Sequence, residues 1–270
     1  MTVHRAGPVR HPTLALRSVR PPYIMAHRGN RHACPENTLA AFRRAIADGA
    51  DIVETDLHVT RDGAFVCIHD GTLDRTTDGR GAVREHTLRD LKRLSASAGF
   101  PGYREERIPT VAELASLIPP DVALALELKS DSFLDAGVCG ELADLLSALG
   151  LRGRTMILSF NQRRVRAFRA VAPDVPTGLV SIHSVLPPRR AEFVGPHWPL
   201  LFLNPLYVQI AQRRGQLVCP LDPLPEPRLR YYLALGVDAL LTDDPAATIA
   251  ALRDIRRHIP ISIDDRSAEK

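Results

Sequence analysis

Short apolar runs and helix-patterned stretches alternate along most of this chain, and that alternation restricts the fold more than any other feature. The runs are "YIMAH" (23–27), "DIVETDL" (51–57), "VALALEL" (122–128), "TMILSF" (155–160), "TGLVSI" (177–182), "PLLFLN" (199–204), "QLVCPL" (216–221) and "DALLTD" (238–243). Between most of them the apolar spacing is helical. "TLAAFRRAIADGA" places Leu39, Phe42 and Ile46 on one face, with Gly49 set to end the helix. "RRVRAFRAVAPD" repeats the pattern around Val165, Phe168 and Val171, and "PRLRYYLALG" does so up to Gly236. Strand followed by helix, repeated, is the pattern of a parallel α/β protein.

Eight strand candidates predict a (β/α)8 TIM barrel. A doubly wound open sheet is the competing architecture, but the glycine-rich nucleotide fingerprint is missing after the first strand, where the chain reads "HRGNRHACPENT". Residues 62–110 break the alternation. "GAFVCIHD" reads as a short extra strand and "TTDGRGAVRE" as turn and loop, so this region is expected to be a small insertion after the second barrel strand. The expected division is a flexible basic N-terminal tail over 1–22, the barrel domain over 23–257, and a C-terminal tail over 258–270.

Composition narrows the function. The 270 residues are 45% apolar and 24% charged, enough for one large core. The net charge of +4 comes with no basic run interleaved with aromatics, so nucleic acid is not an expected partner. The basic tail allows a weak contact with a membrane surface. No run approaches the ~18–20 apolar residues of a membrane helix. Cys34, Cys67, Cys139 and Cys219 are widely spaced and form no CxxC pair, which fits reduced thiols in a cytoplasmic protein. No feature of the sequence sets an oligomeric state.

Residues two apart in a strand point to the same side. Glu54 and Asp56 therefore project together, as do Glu127 and Lys129, each pair at the C-terminal end of its strand, where barrels carry their catalytic groups. Three carboxylates at one mouth need protons or a cation to neutralise them. Hard oxygen ligands suit Mg²⁺ or Ca²⁺. The alternative is a salt-bridge network in which Lys129 answers Glu127; two such pairs on two strands favour the metal.

His27 ends the first strand and is followed by Arg28, whose planar fork suits phosphate, and by Gly29. His69 ends the extra strand. Two imidazoles can divide the work of general acid and general base. His32 is a candidate helper, His58 shares the parity of Asp56, and His86, His183, His197 and His258 read as surface or structural. In "CPENTLAAF", Asn37 or Thr38 is expected to cap a helix, with Glu36 a candidate to orient a neighbouring site residue.

The set "HRG", "PENT", "GADIVETDLHVTRDG", "HD…LDRTT…G", "IPTVAEL", "LELK", "SF" and "GVDALLTDDP", spread in order over about residues 23 to 250, resembles the glycerophosphodiester phosphodiesterase family. The resemblance implies a TIM barrel with an insertion after the second strand. It implies metal-dependent hydrolysis of small-molecule glycerophosphodiesters to glycerol 3-phosphate and an alcohol. It also implies a divalent cation, Mg²⁺ or Ca²⁺, held by Glu54, Asp56 and Glu127, an acid–base pair of His69 and His27, and Arg28 and Lys129 on the phosphate. The departure is Cys219, which stands in "VCPLDPLP" where the family commonly has an aromatic residue. Three rivals are weighed against this reading. A lysophospholipase D would use the same site on an acylated substrate. An amidohydrolase barrel would require HxH where this chain has HRG. A non-catalytic phosphoester-binding barrel would lack one of the site residues.

Overall fold

Runs that are apolar on both faces need a sheet covered on both sides. In the computed structural model, which describes residues 16–18 and 21–258, they form one. The strands are β1 (Tyr23–Ala26), β2 (Ile52–Val59), β3 (Phe65–Cys67), β4 (Ala123–Leu128), β5 (Thr155–Ser159), β6 (Thr177–Ser181), β7 (Phe193–Pro196), β8 (Leu217–Val218) and β9 (Ala239–Thr242). All but β3 run parallel, in the order β8-β7-β6-β5-β4-β2-β1-β9. The ends of this order meet. The Asp238 N–H donates to the Val218 carbonyl at 2.9 Å, and the Val218 N–H donates to Asp238 Oδ2 at 2.8 Å. The result is the TIM barrel that the sequence predicts.

The helices are α1 (Leu39–Ala47), α2 (Leu88–Leu91), α3 (Val111–Ala115), α4 (Ala136–Ala148), α5 (Gln162–Val171), α6 (Pro199–Leu203), α7 (Tyr207–Gln212), α8 (Leu229–Leu235) and α9 (Pro245–His258). Thr38 caps α1, its hydroxyl accepting from the Ala41 N–H, and Gly236 ends α8 in the left-handed conformation. Strand parity divides the core. Met25, Ile52, Ala123, Ala125, Met156 and Leu241 fill the barrel interior. Val53, Leu57, Leu124 and Leu126 face outward and pack with Phe42, Leu142 and Phe168 of the helices. Glu54 and Asp56 continue the inward parity of Ile52, and Glu127 continues that of Ala123 and Ala125, so the acids line the interior.

The insertion after β2 is a hairpin. β3 pairs antiparallel with β2, Leu57 opposite Cys67 and Val59 opposite Phe65, and leads into α2 and α3. One expected strand is corrected. "PLLFLN" is not a strand; Pro199–Leu203 is helix α6, and the sixth barrel strand is the preceding "FVGP", β7. Proline at the first helical position has its φ preset and its missing N–H is not needed there. Gly195 and Pro196 read as a turn, but Gly195 sits where β7 meets Val180 of β6, and an added Cβ would come within 3.3 Å of a Val180 methyl. No helix covers the link from β6 to β7.

Most of the two expected tails lies outside the described residues. Of the described N-terminal residues, Arg17 donates to Asp121 and to the Ile46 carbonyl, and the Ser18 N–H donates to Asp51. No helix among the described residues is long and apolar enough to cross a membrane.

Candidate active site

The C-terminal ends of β1, β2, β4 and β9 lie side by side, and their inward residues meet there. Glu54, Asp56 and Glu127 are all buried, with one carboxylate oxygen of each within 4.8 Å of the other two. In register, Asp56 stands opposite Glu127. Lys129 Nζ lies 3.1 Å from Asp56 Oδ1 and 2.9 Å from Glu127 Oε2. The salt-bridge network weighed from the sequence is therefore present beside the acidic cluster.

The turn after β1 supplies Arg28. Its backbone is left-handed (φ 57°), which lets its N–H donate to Glu54 Oε2 at 2.9 Å while its guanidinium turns back to Glu36 Oε1 at 3.0 Å. Next to it, Gly29 (φ 79°) allows the turn to press on α1, since an added Cβ would lie 2.6 Å from the Ala41 backbone.

Each histidine has a carboxylate on the same ring nitrogen. His27 Nδ1 is 2.7 Å from Asp243 Oδ1, across the β1–β9 seam, and His69 Nδ1 is 2.6 Å from Asp70 Oδ1. A carboxylate on Nδ1 places that proton and leaves Nε2 for exchange. Arg75 fixes the second pair. Its Nε donates to Asp70 Oδ2 at 2.6 Å, and its terminal nitrogens grip Glu36 at 2.9 and 2.8 Å. A continuous path thus runs from His69 through Asp70, Arg75 and Glu36 to Arg28.

Electrostatics separates the three acids. Burial holds Glu54 well above the ordinary carboxylate range, and the charges of Asp56 and Glu127 add to it. Burial raises Glu127 to about 6 against the pull of Lys129. Burial acts on Asp56 too, but Arg28 and Lys129 outweigh it and its value is lowered. Burial lowers both His27 and His69; Asp243 opposes this at His27, and Asp56 and Asp70 oppose it at His69. Both rings are thereby biased toward the neutral form.

Two observations test the fit of a cation. The donors are carboxylate oxygens, the hard type that Mg²⁺ and Ca²⁺ take. Asp56 Oδ1 is also fully buried and accepts no hydrogen bond of proper geometry, although the Lys129 ammonium is near. Oxygens that are buried, convergent and incompletely satisfied fit a divalent cation.

Several residues here escaped the sequence reading. Asn37, also left-handed (φ 55°), donates to Asp56 Oδ2 at 3.0 Å and accepts from Thr55 at 2.7 Å, so it orients an acid, while the capping role falls to Thr38. Asp70 was visible as the neighbour of His69, and Asp243 as the polar end of the last strand. Arg75 carried no signal by spacing, because a loop brings it in. His58 has a ring nitrogen 3.1 Å from the His69 carbonyl, which supports the backbone of His69. His32 is exposed, 4.0 Å from Asp244, and joins none of these contacts. Burial pushes the Cys219 thiol up to about 12, and Trp198 is engaged by Arg228 at 4.3 Å and by Phe202.

A parallel barrel whose mouth joins convergent acids, two anchored imidazoles and a fixed guanidinium defines a hydrolase suited to a phosphate ester. Comparison with known proteins makes this particular. Residues 27–247 match the model of the glycerophosphoryl diester phosphodiesterase family. A glycerophosphodiester phosphodiesterase of Caldanaerobacter subterraneus subsp. tengcongensis is 35% identical, covering 85% of this chain and 97% of its own. A probable glycerophosphodiester phosphodiesterase 1 of Mycobacterium tuberculosis is 32% identical over 87% of this chain and 94% of its own. Among solved structures, an Oleispira antarctica phosphodiesterase in complex with the product sn-glycerol-3-phosphate superposes with a TM-score of 0.75 at 27% identity, covering 86% and 97% of the two chains. The chain belongs to the glycerophosphoryl diester phosphodiesterase family and is an enzyme of the phosphoric diester hydrolase class.

Proposed function

We propose that residues 23–257 form a catalytic domain that hydrolyses a glycerophosphodiester to glycerol 3-phosphate and an alcohol, with a divalent cation, Mg²⁺ or Ca²⁺, held by Glu54, Asp56 and Glu127. The observation that carries this reading is the convergence of those three acids within 4.8 Å beside Arg28 and two imidazoles with carboxylates on Nδ1. The cation, when bound, supplies positive charge to the phosphate oxygens as negative charge builds on them. The Arg28 guanidinium and the Lys129 ammonium add fixed positive charge on the same oxygens. His27 Nε2 takes the proton of the attacking hydroxyl, from water or from the neighbouring glycerol carbon. His69, as the imidazolium protonated on both ring nitrogens, gives its Nε2 proton to the departing alcohol oxygen as that oxygen's bond to phosphorus breaks. If the glycerol hydroxyl attacks first, water then opens the cyclic ester with the two roles exchanged. The product complex of the Oleispira relative supports this substrate class. The described cysteines are all free, in keeping with a cytoplasmic site of action.

The test is phosphorus NMR on glycerophosphocholine, glycerophosphoinositol and lysophosphatidylcholine, with EDTA and with added Mg²⁺ or Ca²⁺. The expected result is glycerol 3-phosphate from at least one glycerophosphodiester, lost with EDTA and restored by the ion. Full turnover in EDTA with no bound metal would overturn the cation assignment, and cleavage confined to the lysolipid would overturn the substrate class.

A further inference from the structure

The chain of contacts that holds His69 has a counterpart at His27. On the His69 side, Asp70 gives Oδ1 to the ring and Oδ2 to Arg75 Nε at 2.6 Å, and the terminal nitrogens of Arg75 reach Glu36. On the His27 side, Asp243 gives Oδ1 to the ring at 2.7 Å. Its Oδ2 lies 3.7 Å from Arg31 Nε, and Arg31 Nη2 lies 3.5 Å from Glu36 Oε2. The atoms follow in the same order, and both branches end on Glu36. They differ in tightness. Arg75 makes hydrogen bonds to both of its carboxylates, whereas Arg31 makes only the two longer ion pairs among the described residues. Among those residues, Arg31 is also the one group that faces Asp243 Oδ2.

The backbone beneath Arg31 is built to place it there. The Asn30 N–H donates to the Ala41 carbonyl at 2.9 Å, the Ala33 N–H to Asn30 Oδ1 at 3.0 Å, and the Cys34 N–H to the Asn30 carbonyl at 3.1 Å. The His32 N–H donates to the Asp243 carbonyl at 3.2 Å, which ties the turn to the residue that Arg31 faces.

We propose that Arg31 is a positioning residue: it holds the second oxygen of Asp243 and so fixes the His27 ring for proton transfer, as Arg75 does for His69, with Glu36 the common anchor of both branches. This rests on the reading of His27 as general base. A carboxylate held through one oxygen can rotate and carry the imidazole with it; a cation on the other oxygen fixes its plane. Opposite charges attract across 3.5–3.7 Å without a hydrogen bond, and contacts of this kind tighten when substrate is bound. The guanidinium is turned to two carboxylates, so a phosphate would have to displace both to use it.

The experiment is a double-mutant cycle on the full chain with Arg31→Gln, Asp243→Asn and the two together. It is read by glycerophosphocholine turnover and by proton NMR of the His27 ring. Arg31→Gln should melt like the wild type, because its ion pairs are partly exposed. It should lower kcat about tenfold and leave KM within about twofold of the wild type. In the Asp243→Asn background it should cost nothing further. The His27 Nδ1 proton should exchange with water faster in Arg31→Gln than in the wild type. Wild-type kcat and an unchanged ring proton in Arg31→Gln would overturn the proposal. So would additive losses in the cycle, or a raised KM with kcat kept, which would make Arg31 a substrate contact. The ring proton is read without turnover. It therefore decides whether Arg31 holds Asp243 even if His27→Ala stayed active and the reading of His27 as base failed.

Discussion

Asp51 and Asp56 lie five residues apart and are equally buried, yet they sit at opposite ends of the barrel and behave in opposite ways. At the lower end, Asp51 accepts the Ser18 N–H at 2.7 Å and the Ile24 N–H at 2.8 Å, one on each oxygen. At the upper end, Asp56 and its companions face one another, and Asp56 Oδ1 is left without a proper hydrogen bond. Burial alone does not mark a functional carboxylate. What marks it is burial without sufficient partners, which folding would not leave in place unless another group completes the shell.

The largest expected effect belongs to the upper end. His27→Ala and His69→Ala should each lower kcat by about 10²–10⁴, the span of a lost general acid or base, with little change in melting temperature. Turnover by phosphorus NMR, alongside thermal unfolding, checks this. If both variants kept near wild-type turnover, the acid–base assignment would be wrong.

The next effect sets the two ends against each other. Asp51→Ala removes two charge-assisted hydrogen bonds, one buried and one half-buried, and should lower stability by roughly 3–5 kcal/mol while kcat stays near wild type. Glu54→Gln should do the reverse. The folded value of Glu54 lies above its unfolded one, so in the cation-free protein its ionisation opposes folding. That opposition is absent below the unfolded value near 4.5 and grows as pH rises toward the folded value. Gln cannot ionise, so in EDTA at neutral pH the variant should melt at or above the wild type. Added Mg²⁺ or Ca²⁺ should raise the wild-type melting temperature and move the variant less. Equal losses of stability in Asp51→Ala and Glu54→Gln would erase the distinction between the ends.

The sequence showed the strands that carry the site more clearly than the opposite arc. β2 and β4 announce themselves by parity, because Glu54, Asp56 and Glu127 interrupt otherwise apolar faces. β7 was hidden, since Gly195 and Pro196 resemble a turn and the apolar "PLLFL" beside it competes for the role. Within the site, the groups on strand ends were readable, and of the groups that hold them Glu36, which accepts from Arg28, was singled out by the sequence while the others were not. Asp243 reaches His27 only because the last strand closes on the first. Arg75 and Asn37 arrive from loops whose left-handed turns and long connections have no periodicity to read.

Glu36 extends the contrast into pH. Burial pushes its carboxyl up, but the hydrogen bonds from Arg75 and the charge of Arg28 outweigh that and hold it at about 2. A depressed carboxylate stabilises the fold fully above its unfolded value near 4.5 and loses that contribution as pH falls toward 2. Glu36→Gln should therefore lower stability at neutral pH by on the order of 3 kcal/mol. It should also flatten the stability curve between about pH 4.5 and 2. Denaturant titrations across that range measure the slope. An unchanged slope would mean that Glu36 only follows Arg28 and does not hold it.

The smallest effect tests whether the path from His69 to Arg28 acts as a unit. Arg75 is half exposed, so its ion pairs alone should add little to stability. Its geometry is another matter, because one guanidinium fixes both Asp70 and Glu36 through four hydrogen bonds. Lysine retains the charge but lacks the planar fork. Arg75→Lys should therefore melt like the wild type and still lose about tenfold in kcat/KM. Arg75→Ala should lose somewhat more. The pH profile separates positioning from charge. If Asp70 is freed from Arg75 and no longer holds the His69 ring, the limb of the kcat/KM profile set by His69 should shift in both variants. If kcat/KM falls in Arg75→Ala alone and is kept in Arg75→Lys, charge is sufficient and the two arms of the path do not depend on a shared orientation.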